Sequence, residues 1–531
     1  MKLTVKNYLI VIFAINILSV SGLSSRKKYN LTFNLNQYVI QTFTIDEKVY
    51  KIRAYENIIY VSNPVDTFYQ KMNIYIPEEY FEGRSLNGYT SSTAPIFFPN
   101  RIGGYMQALP ETALPLKTVE TSGGMLQSSF SYPDKSKKPE YTPGEIPPKG
   151  ESINKQGNKQ LSTVLFALSK GYIVATAGVR GRTTTDKNGV FTGKAPAAIV
   201  DLKAAVRYLK FNDRIMPGDA GKIISNGTSA GGAMSVLLGA SGNNPDYEPY
   251  LKALGAADAA DNIFAVSSYC PITNLDNADK AYEWQFDGIY TYQKRGFPQG
   301  QYQGDQNTYN FLSDNQINIS KQLKSLFPGY LNSLNLKDKD GALLSLDTIG
   351  NGNFKTLVKS FIISSAQKEI NNGSDLSGLT WLRVENRIVT DLDFNAYLKY
   401  LCRMKTPPAF DALDLSTPEN QLFGTEKIDM QHFTEFSSKH SVVAASISDK
   451  LEIKMMNPMN YIGKPLTNTA NHWRIRHGTR DKDTSLAIPV ILATFLHNKG
   501  FDVNLELAWD RPHSGDYDLD ELFQWADNLC K

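Results

Sequence analysis

Residues Asn226-Gly227-Thr228-Ser229-Ala230-Gly231-Gly232 constrain this chain more than any other stretch. Gly227, Ser229 and Gly231 alternate as G-x-S-x-G. The apolar run Lys222-Ile223-Ile224 leads in, and the small-residue run from Ala233 to Ala240 leads out. Strand, sharp turn and helix in that order make a nucleophile elbow. The turn holds the serine in a strained backbone conformation, and glycines two residues either side give it room. Its hydroxyl then stands exposed above a helix N-terminus, whose partial positive charge and free N–H groups favour a developing oxyanion. The five-residue pattern by itself also fits an ordinary strand-to-helix turn, so the flanks carry the reading.

A serine hydroxyl is a poor nucleophile until a neighbouring base takes its proton. The six histidines are His432, His440, His472, His477, His497 and His513. Only His513 follows a final strand in a polar, Gly-containing loop, Pro512-His513-Ser514-Gly515-Asp516. His472 and His477 lie in or at the end of a strand and read as packing or structural groups. His497 sits on a helix, and His432 and His440 read as solvated or structural. The base needs a carboxylate to hold its tautomer. Asp481 and Asp483 follow a strand in Gly478-Thr479-Arg480-Asp481-Lys482-Asp483, and Asp483 also fits an N-cap for a helix from Thr484. From Asp481 to His513 the chain has room for one helix, one strand and a loop. The order Ser, Asp, His is that of an α/β-hydrolase. Oxyanion donors are expected at the N–H of Ala230 and in the loop Pro99-Asn100-Arg101-Ile102-Gly103-Gly104-Tyr105, where Gly103 and Gly104 also fit a plain turn. The stretch Gly178-Val179-Arg180-Gly181-Arg182 borders the same region, with arginines that equally suit structural ion pairs.

The rest of the chain supplies a sheet. Lys48 to Arg53, Met72 to Ile76 and Ala94 to Phe98 read as strands. A Pro/Lys/Gly-rich stretch from Pro133 to Gly157 reads as a surface loop. Tyr172 to Thr176 and Ile263 to Tyr269 read as buried strands, and Pro196 to Phe211 as a helix opened by its proline. This alternation predicts a mostly parallel sheet flanked by helices. From about Asn274 to Pro458 the rhythm breaks, then resumes with strands at His472–Arg476 and Val503–Leu507 around a helix from Thr484 to Lys499. The expected division is a signal peptide at 1–22, a hydrolase core at 30–273 and 459–531, and an inserted lid or recognition domain at 274–458.

With these residues assembled, the chain resembles the bacterial tannases, tannin acyl hydrolases of the α/β-hydrolase fold. The resemblance is carried by Gly227 to Gly232, by Cys270-Pro271-Ile272-Thr273-Asn274-Leu275, and by Ile475 to Ser485 with His513 downstream. It implies a triad of Ser229, Asp481 and His513, and that Lys405, Glu419 and Asp483 meet the three hydroxyls of a galloyl ring. Carboxylates accept hydrogen bonds from phenols, and an ammonium donates to a phenolic oxygen. Thr228 before Ser229 and Ser514 after His513 depart from the fungal tannases and related feruloyl esterases, which carry a cysteine at both places.

Lys2 and Lys6 followed by the apolar stretch Tyr8 to Val20 and Ser21-Gly22 read as a secretory signal peptide, too short to span a membrane. A secreted or periplasmic protein without stable membrane insertion is expected. The charge balance, 56 Lys+Arg against 53 Asp+Glu, leaves no basic stripe for nucleic acid. Three cysteines, Cys270, Cys402 and Cys530, are too few for a disulfide framework, and no Cys/His spacing suggests zinc. Four Asn-x-Ser/Thr matches, at Asn30, Asn226, Asn318 and Asn372, read as chance. The expectation is a serine esterase that takes a small galloyl ester without metal or cofactor. A broader carboxylesterase or feruloyl esterase is the rival, and a catalytically silent polyphenol-binding protein the non-enzymatic alternative.

Overall fold

A computed structural model describes residues 28–114, 162–293 and 309–531. The expected signal peptide and most of the Pro133–Gly157 loop's surroundings, that loop included, lie outside the described residues.

Among the described residues, nine strands form one sheet. In chain order they are β1 (Val39–Ile45), β2 (Lys48–Ile59), β3 (Lys71–Pro77), β4 (Pro95–Pro99), β5 (Ile173–Ala177), β6 (Asp219–Thr228), β7 (Ala265–Tyr269), β8 (His472–Gly478) and β9 (Asp502–Ala508). Their spatial order is β1-β2-β3-β5-β4-β6-β7-β8-β9. The contacts among β1, β2, β3 and β5 are antiparallel, and those from β5 through to β9 are parallel. β4 and β5 are buried along their whole length, as continuous apolar runs in a covered parallel sheet should be.

Helices flank the sheet. Ala197–Phe211 and Ala230–Ala240 pack on each other and on β6. The expected first-turn proline of the former, Pro196, stands one residue earlier as the N-cap. Thr163–Ser169 packs against the last helix, Leu519–Cys530, and the Phe523 ring of that helix meets Phe97, Phe166 and Tyr172. Gly239 lets the Ala230–Ala240 helix lie close on the sheet: a Cβ there would stand 2.2 Å from Val266 Cγ2. The expected fold class, an α/β-hydrolase sheet, is what the chain adopts.

Between β7 and β8 the chain leaves the sheet and returns. Within that excursion are the helices Leu275–Phe286, Asp314–Ser333, Asn353–Asn371, Phe394–Leu401 and Pro418–Leu422. Trp284, Phe327 and Phe354 from this excursion belong to the same apolar cluster as the sheet residues. Among the described residues no helix is long and apolar enough to cross a membrane.

Candidate active site

In a parallel sheet every strand ends on the same edge, so loops that follow different strands meet there. β4 delivers Asn100 to Tyr105, β6 delivers Ser229, β7 delivers Cys270, β8 delivers Asp481 and Asp483, and β9 delivers His513.

Ser229 has φ 61° and ψ −123°, a region that side chains rarely enter. Its N–H donates to the Tyr269 carbonyl at 3.0 Å, and its carbonyl accepts from Ile272 N at 3.2 Å and Ala233 N at 2.9 Å. The flanking glycines permit this turn. A Cβ on Gly227 would lie 2.4 Å from the Gly231 carbonyl oxygen, and one on Gly231 would lie 2.6 Å from Asn100 Oδ1. Asn100, buried, ties the β4 loop over the elbow by donating to the Gly231 carbonyl at 3.0 Å and to Ser235 Oγ at 2.8 Å. The loop with Gly103 and Gly104 therefore sits against the start of the elbow helix, beside Ala230. Gly104 has φ 52°, so its place in a tight left-handed turn suits glycine. Asn226 is buried and donates to Asp516 Oδ1 at 2.9 Å.

His513 Nδ1 and Asp481 Oδ2 are 2.7 Å apart, and Asp481 is wholly buried. The other Asp481 oxygen accepts from Asp483 N at 2.8 Å. Asp483 Oδ2 also stands 3.8 Å from His513 Nδ1. Burial works to raise the Asp481 pKa, but the neighbouring imidazoles of His513 and His477, with hydrogen bonds from His513 and Cys270, outweigh it and hold the carboxyl well below the usual range. Asp483 is no N-cap: the helix it was expected to open begins at Ala487, with Leu486 as its N-cap.

The loop at 512–516, which carries His513, packs onto the elbow. A Cβ on Gly515 would fall 1.9 Å from Thr228 Oγ1, and Cys270 Sγ lies 3.5 Å from the Ser514 carbonyl oxygen. Ser229 and His513 thus belong to one rim of one sheet.

Glu419, Lys405 and Asp483 converge from the excursion and the β8 loop. Glu419 is buried, and burial raises its pKa against the lowering pull of Lys405 and Arg182, with Asp483 adding a further push upward. The Lys405 ammonium sits 3.8 Å from the centroid of the Phe410 ring. Its backbone is anchored: Tyr282 Oη accepts from Met404 N at 3.3 Å and Lys405 N at 3.1 Å, and donates to the Lys482 carbonyl at 3.0 Å. One hydroxyl therefore couples the segment bearing Lys405 to the residue between Asp481 and Asp483.

Sequence reading left the roles of the two arginines and of two histidines open between alternatives. Arg180 is a structural ion pair with Asp201, at 2.8 and 3.0 Å. Arg182 is different. It is buried, donates Nε to the Gly104 carbonyl at 2.8 Å and Nη1 to Gln421 Oε1, and leaves Nη2 without a partner. Burial lowers its pKa, and Glu419 and Asp429 pull it back up. His477 is wholly buried and neither ring nitrogen has a hydrogen-bond partner, so of the packing and structural hydrogen-bonding roles read for it the structure shows only the packing. His432 is not solvated either. It is buried, with Nδ1 2.7 Å from Asp411 Oδ1 and Nε2 2.9 Å from Ser441 Oγ. That Ser–His–Asp chain is a structural brace, since Asp411 also accepts from Phe433 N, Thr434 N and Thr434 Oγ1, and Ser441 donates to the Val443 carbonyl at 2.8 Å with no elbow around it. An open hollow of about 630 Å³ beside Ser360, Gln367 and Ile388 shares none of the residues on the rim.

The BD-FAE family model matches residues 149–316. No curated protein matches the chain. Solved structures do. Tannin acyl hydrolase from Lactobacillus plantarum is 42% identical with a TM-score of 0.82, over 94% of this chain and 99% of that one. A Fusobacterium nucleatum tannase is 48% identical with a TM-score of 0.81, over 95% of this chain and all of that one. A tannin acyl hydrolase in complex with ethyl gallate is 42% identical with a TM-score of 0.82, over 94% and 99%.

Proposed function

The chain belongs to the tannase family, the tannin acyl hydrolases, and from that we propose that it hydrolyses galloyl esters with Ser229 as nucleophile, His513 as general base and Asp481 as the acid that orients it. The observation that carries this reading is the β8 loop. Asp481 lies 2.7 Å from His513, while Asp483, two residues on, stands 3.8 Å from the same ring nitrogen and acts electrostatically on Glu419. The loop that would hold the base therefore also borders the group that would read the phenol.

His513 takes the Ser229 proton as the hydroxyl attacks the ester carbonyl. Asp481 holds Nδ1–H and stabilises the imidazolium that forms. The carbonyl oxygen becomes an oxyanion facing N–H groups of Ala230 and of the Gly103–Gly104 turn. His513 returns its proton to the departing alcohol, leaving a galloyl ester on Ser229. Water, deprotonated by the same imidazole, releases gallic acid. Lys405, Glu419 and Asp483 meet the ring hydroxyls. A site with buried carboxylates penalises rings without hydroxyls, because those carboxylates then stay unpaired. Residues 274–458 act as the inserted recognition unit, and the protein is exported by its N-terminal segment.

Initial rates on methyl gallate, methyl ferulate and nitrophenyl acetate test the reading. The gallate should lead by orders of magnitude in kcat/KM. Equal rates on gallate and ferulate would make the protein a broad carboxylesterase instead.

A further inference from the structure

Beside the Asp481 carboxylate lie two side chains that hydrolysis does not use, Cys270 and His477. Cys270 follows β7, His477 is near the end of β8, and Asp481 follows β8, so adjacent strands bring them together. One ligand atom from each, the Cys270 sulfur, a His477 ring nitrogen and an Asp481 oxygen, lies within 4.8 Å of the other two. All three residues are wholly buried. His477 Nε2 stands 3.8 Å from Asp481 Oδ2. That is too long for a hydrogen bond, yet two ligands bonded at about 2.0–2.2 Å to a common ion span such a separation. Neither His477 nitrogen has another partner. A buried imidazole without a hydrogen bond is costly, and such groups call for an explanation. The spacing is invisible to a motif scan because the ligands come from the ends of two strands, not from one short loop.

We propose that Cys270, His477 and Asp481 form an inhibitory site for a borderline or soft divalent cation, of the zinc or cadmium class. One sulfur, one imidazole nitrogen and one carboxylate oxygen suit that class and leave a fourth tetrahedral position for water. On binding, the Cys270 S–H bond breaks, its proton leaves to solvent, and a metal–sulfur bond forms. No electrons change hands, and the ion stays divalent. The ion competes with His513 for the Asp481 carboxylate. The base then loses the acid that orients it, and hydrolysis stops. Entry requires the 512–516 loop to move, because Cys270 Sγ rests against the Ser514 carbonyl, so inhibition develops with time. Ion binding is independent of the proposed function. Only its inhibitory effect rests on that reading.

The test uses the full chain and cadmium chloride. One equivalent of Cd²⁺ should bind with a cadmium–thiolate charge-transfer absorption. Methyl gallate hydrolysis should fall in step with occupancy and return on adding EDTA. Cys270→Ala should lose the absorption and need at least tenfold more Cd²⁺ for half-inhibition, relative to its own metal-free rate. A Cys402→Ala/Cys530→Ala double variant should behave like the parent. X-ray absorption of the zinc-loaded parent protein needs no variant and should show one sulfur among nitrogen or oxygen ligands. A sulfur-free shell overturns the proposal, as does inhibition unchanged in Cys270→Ala, which would place the ion on Asp481, Asp483 and His513 instead. A bound ion that leaves hydrolysis untouched also overturns it. If the protein fails to hydrolyse methyl gallate at all, the functional reading is what fails, and the absorption still decides whether the cation site exists.

Discussion

Gly515 and Thr228 approach so closely that a single added methyl on the glycine would overlap the threonine hydroxyl, at 1.9 Å. Thr228 immediately precedes Ser229, and Gly515 lies two residues after His513. This contact fixes how far the base loop stands from the elbow. Gly515→Ala must push the loop away, and a displacement of about 1 Å at a reacting group can cost on the order of a hundredfold in rate. The variant should lose kcat by that order while its KM for methyl gallate stays near the parent value. Steady-state kinetics on the purified variant checks this. An unchanged kcat would mean that the loop position does not govern proton transfer.

Ser229 occupies φ 61° and ψ −123°, where a residue with a Cβ costs about 1–3 kcal/mol. Ser229→Ala keeps that strain, and Ser229→Gly releases it. Both should lose turnover, on the order of a millionfold. Their stabilities should differ. Glycine ordinarily costs about 1 kcal/mol more than alanine through chain entropy, yet here Ser229→Gly should unfold at the same or higher temperature than Ser229→Ala. Calorimetry of the two variants decides it.

The elbow turn and the sheet were legible because each follows from local pattern. Gly227, Ser229 and Gly231 encode one turn, and the runs at β4 to β7 encode buried strands. What the pattern could not show lies across elements. Arg182 acts between the β4 loop and Gln421, and His477 and Cys270 meet only because β7 and β8 pair in register, His472 beside Ala265 through Arg476 beside Tyr269. Lys405 and Glu419 carry no local signal, and only the family resemblance singled them out. His432 read equally as solvated or structural, and only the path of the whole excursion, which buries it against Asp411, selects the structural role.

Asp481 and Glu419 should bend the stability profile in opposite directions. The Asp481 pKa is lowered on folding, so its contribution is complete above the ordinary aspartate value of about 3.9 and disappears as pH falls through its depressed value. Asp481→Asn should therefore be less stable than the parent at pH 7, with the gap closing in strong acid. The Glu419 pKa is raised, so its carboxyl destabilises the fold as pH climbs from the ordinary value of about 4.3 through the raised one. Glu419→Gln should melt higher than the parent at pH 7 and match it near pH 4. Melting temperatures taken from strong acid up to pH 8 test both signs. Coincident curves for Glu419→Gln and the parent would remove the burial argument.

Recognition and chemistry should separate at Glu419 and Asp483. Alanine at either position removes a charged hydrogen-bond partner for a phenol, a loss of about 1.5–3 kcal/mol. On methyl gallate kcat/KM should fall between about tenfold and a hundredfold, since each 1.4 kcal/mol is a factor of ten. Nitrophenyl acetate, which has no galloyl hydroxyls, should fall far less with Glu419→Ala. Asp483→Ala should show a smaller gap between the substrates, because the carboxylate it removes also stands 3.8 Å from His513 Nδ1. Equal losses on both esters for Glu419→Ala would contradict a role in reading the ring.

Arg182 should fail in a third way, because it bonds both the Gly104 turn and the helix that carries Glu419. Its Nε holds the Gly104 carbonyl at 2.8 Å, which fixes the plane of the following peptide and so the aim of the turn proposed to face the oxyanion. Its Nη1 reaches Gln421, on the helix that carries Glu419, and its positive charge pulls against the burial that raises the Glu419 pKa. Lysine keeps the charge but has no planar fork to bond both partners at once. Arg182→Lys should therefore lower kcat on methyl gallate and nitrophenyl acetate alike, by about tenfold for one displaced oxyanion donor, with the larger figures of about a hundredfold or more reserved for outright loss of that donor. Its KM for the gallate should rise only modestly, since the charge beside Glu419 remains. Arg182→Met removes the charge as well, and the gallate KM should then rise together with the fall in kcat. If Arg182→Lys instead spares nitrophenyl acetate, Arg182 acts on the ring alone, and the Gly104 carbonyl does not depend on it for its position.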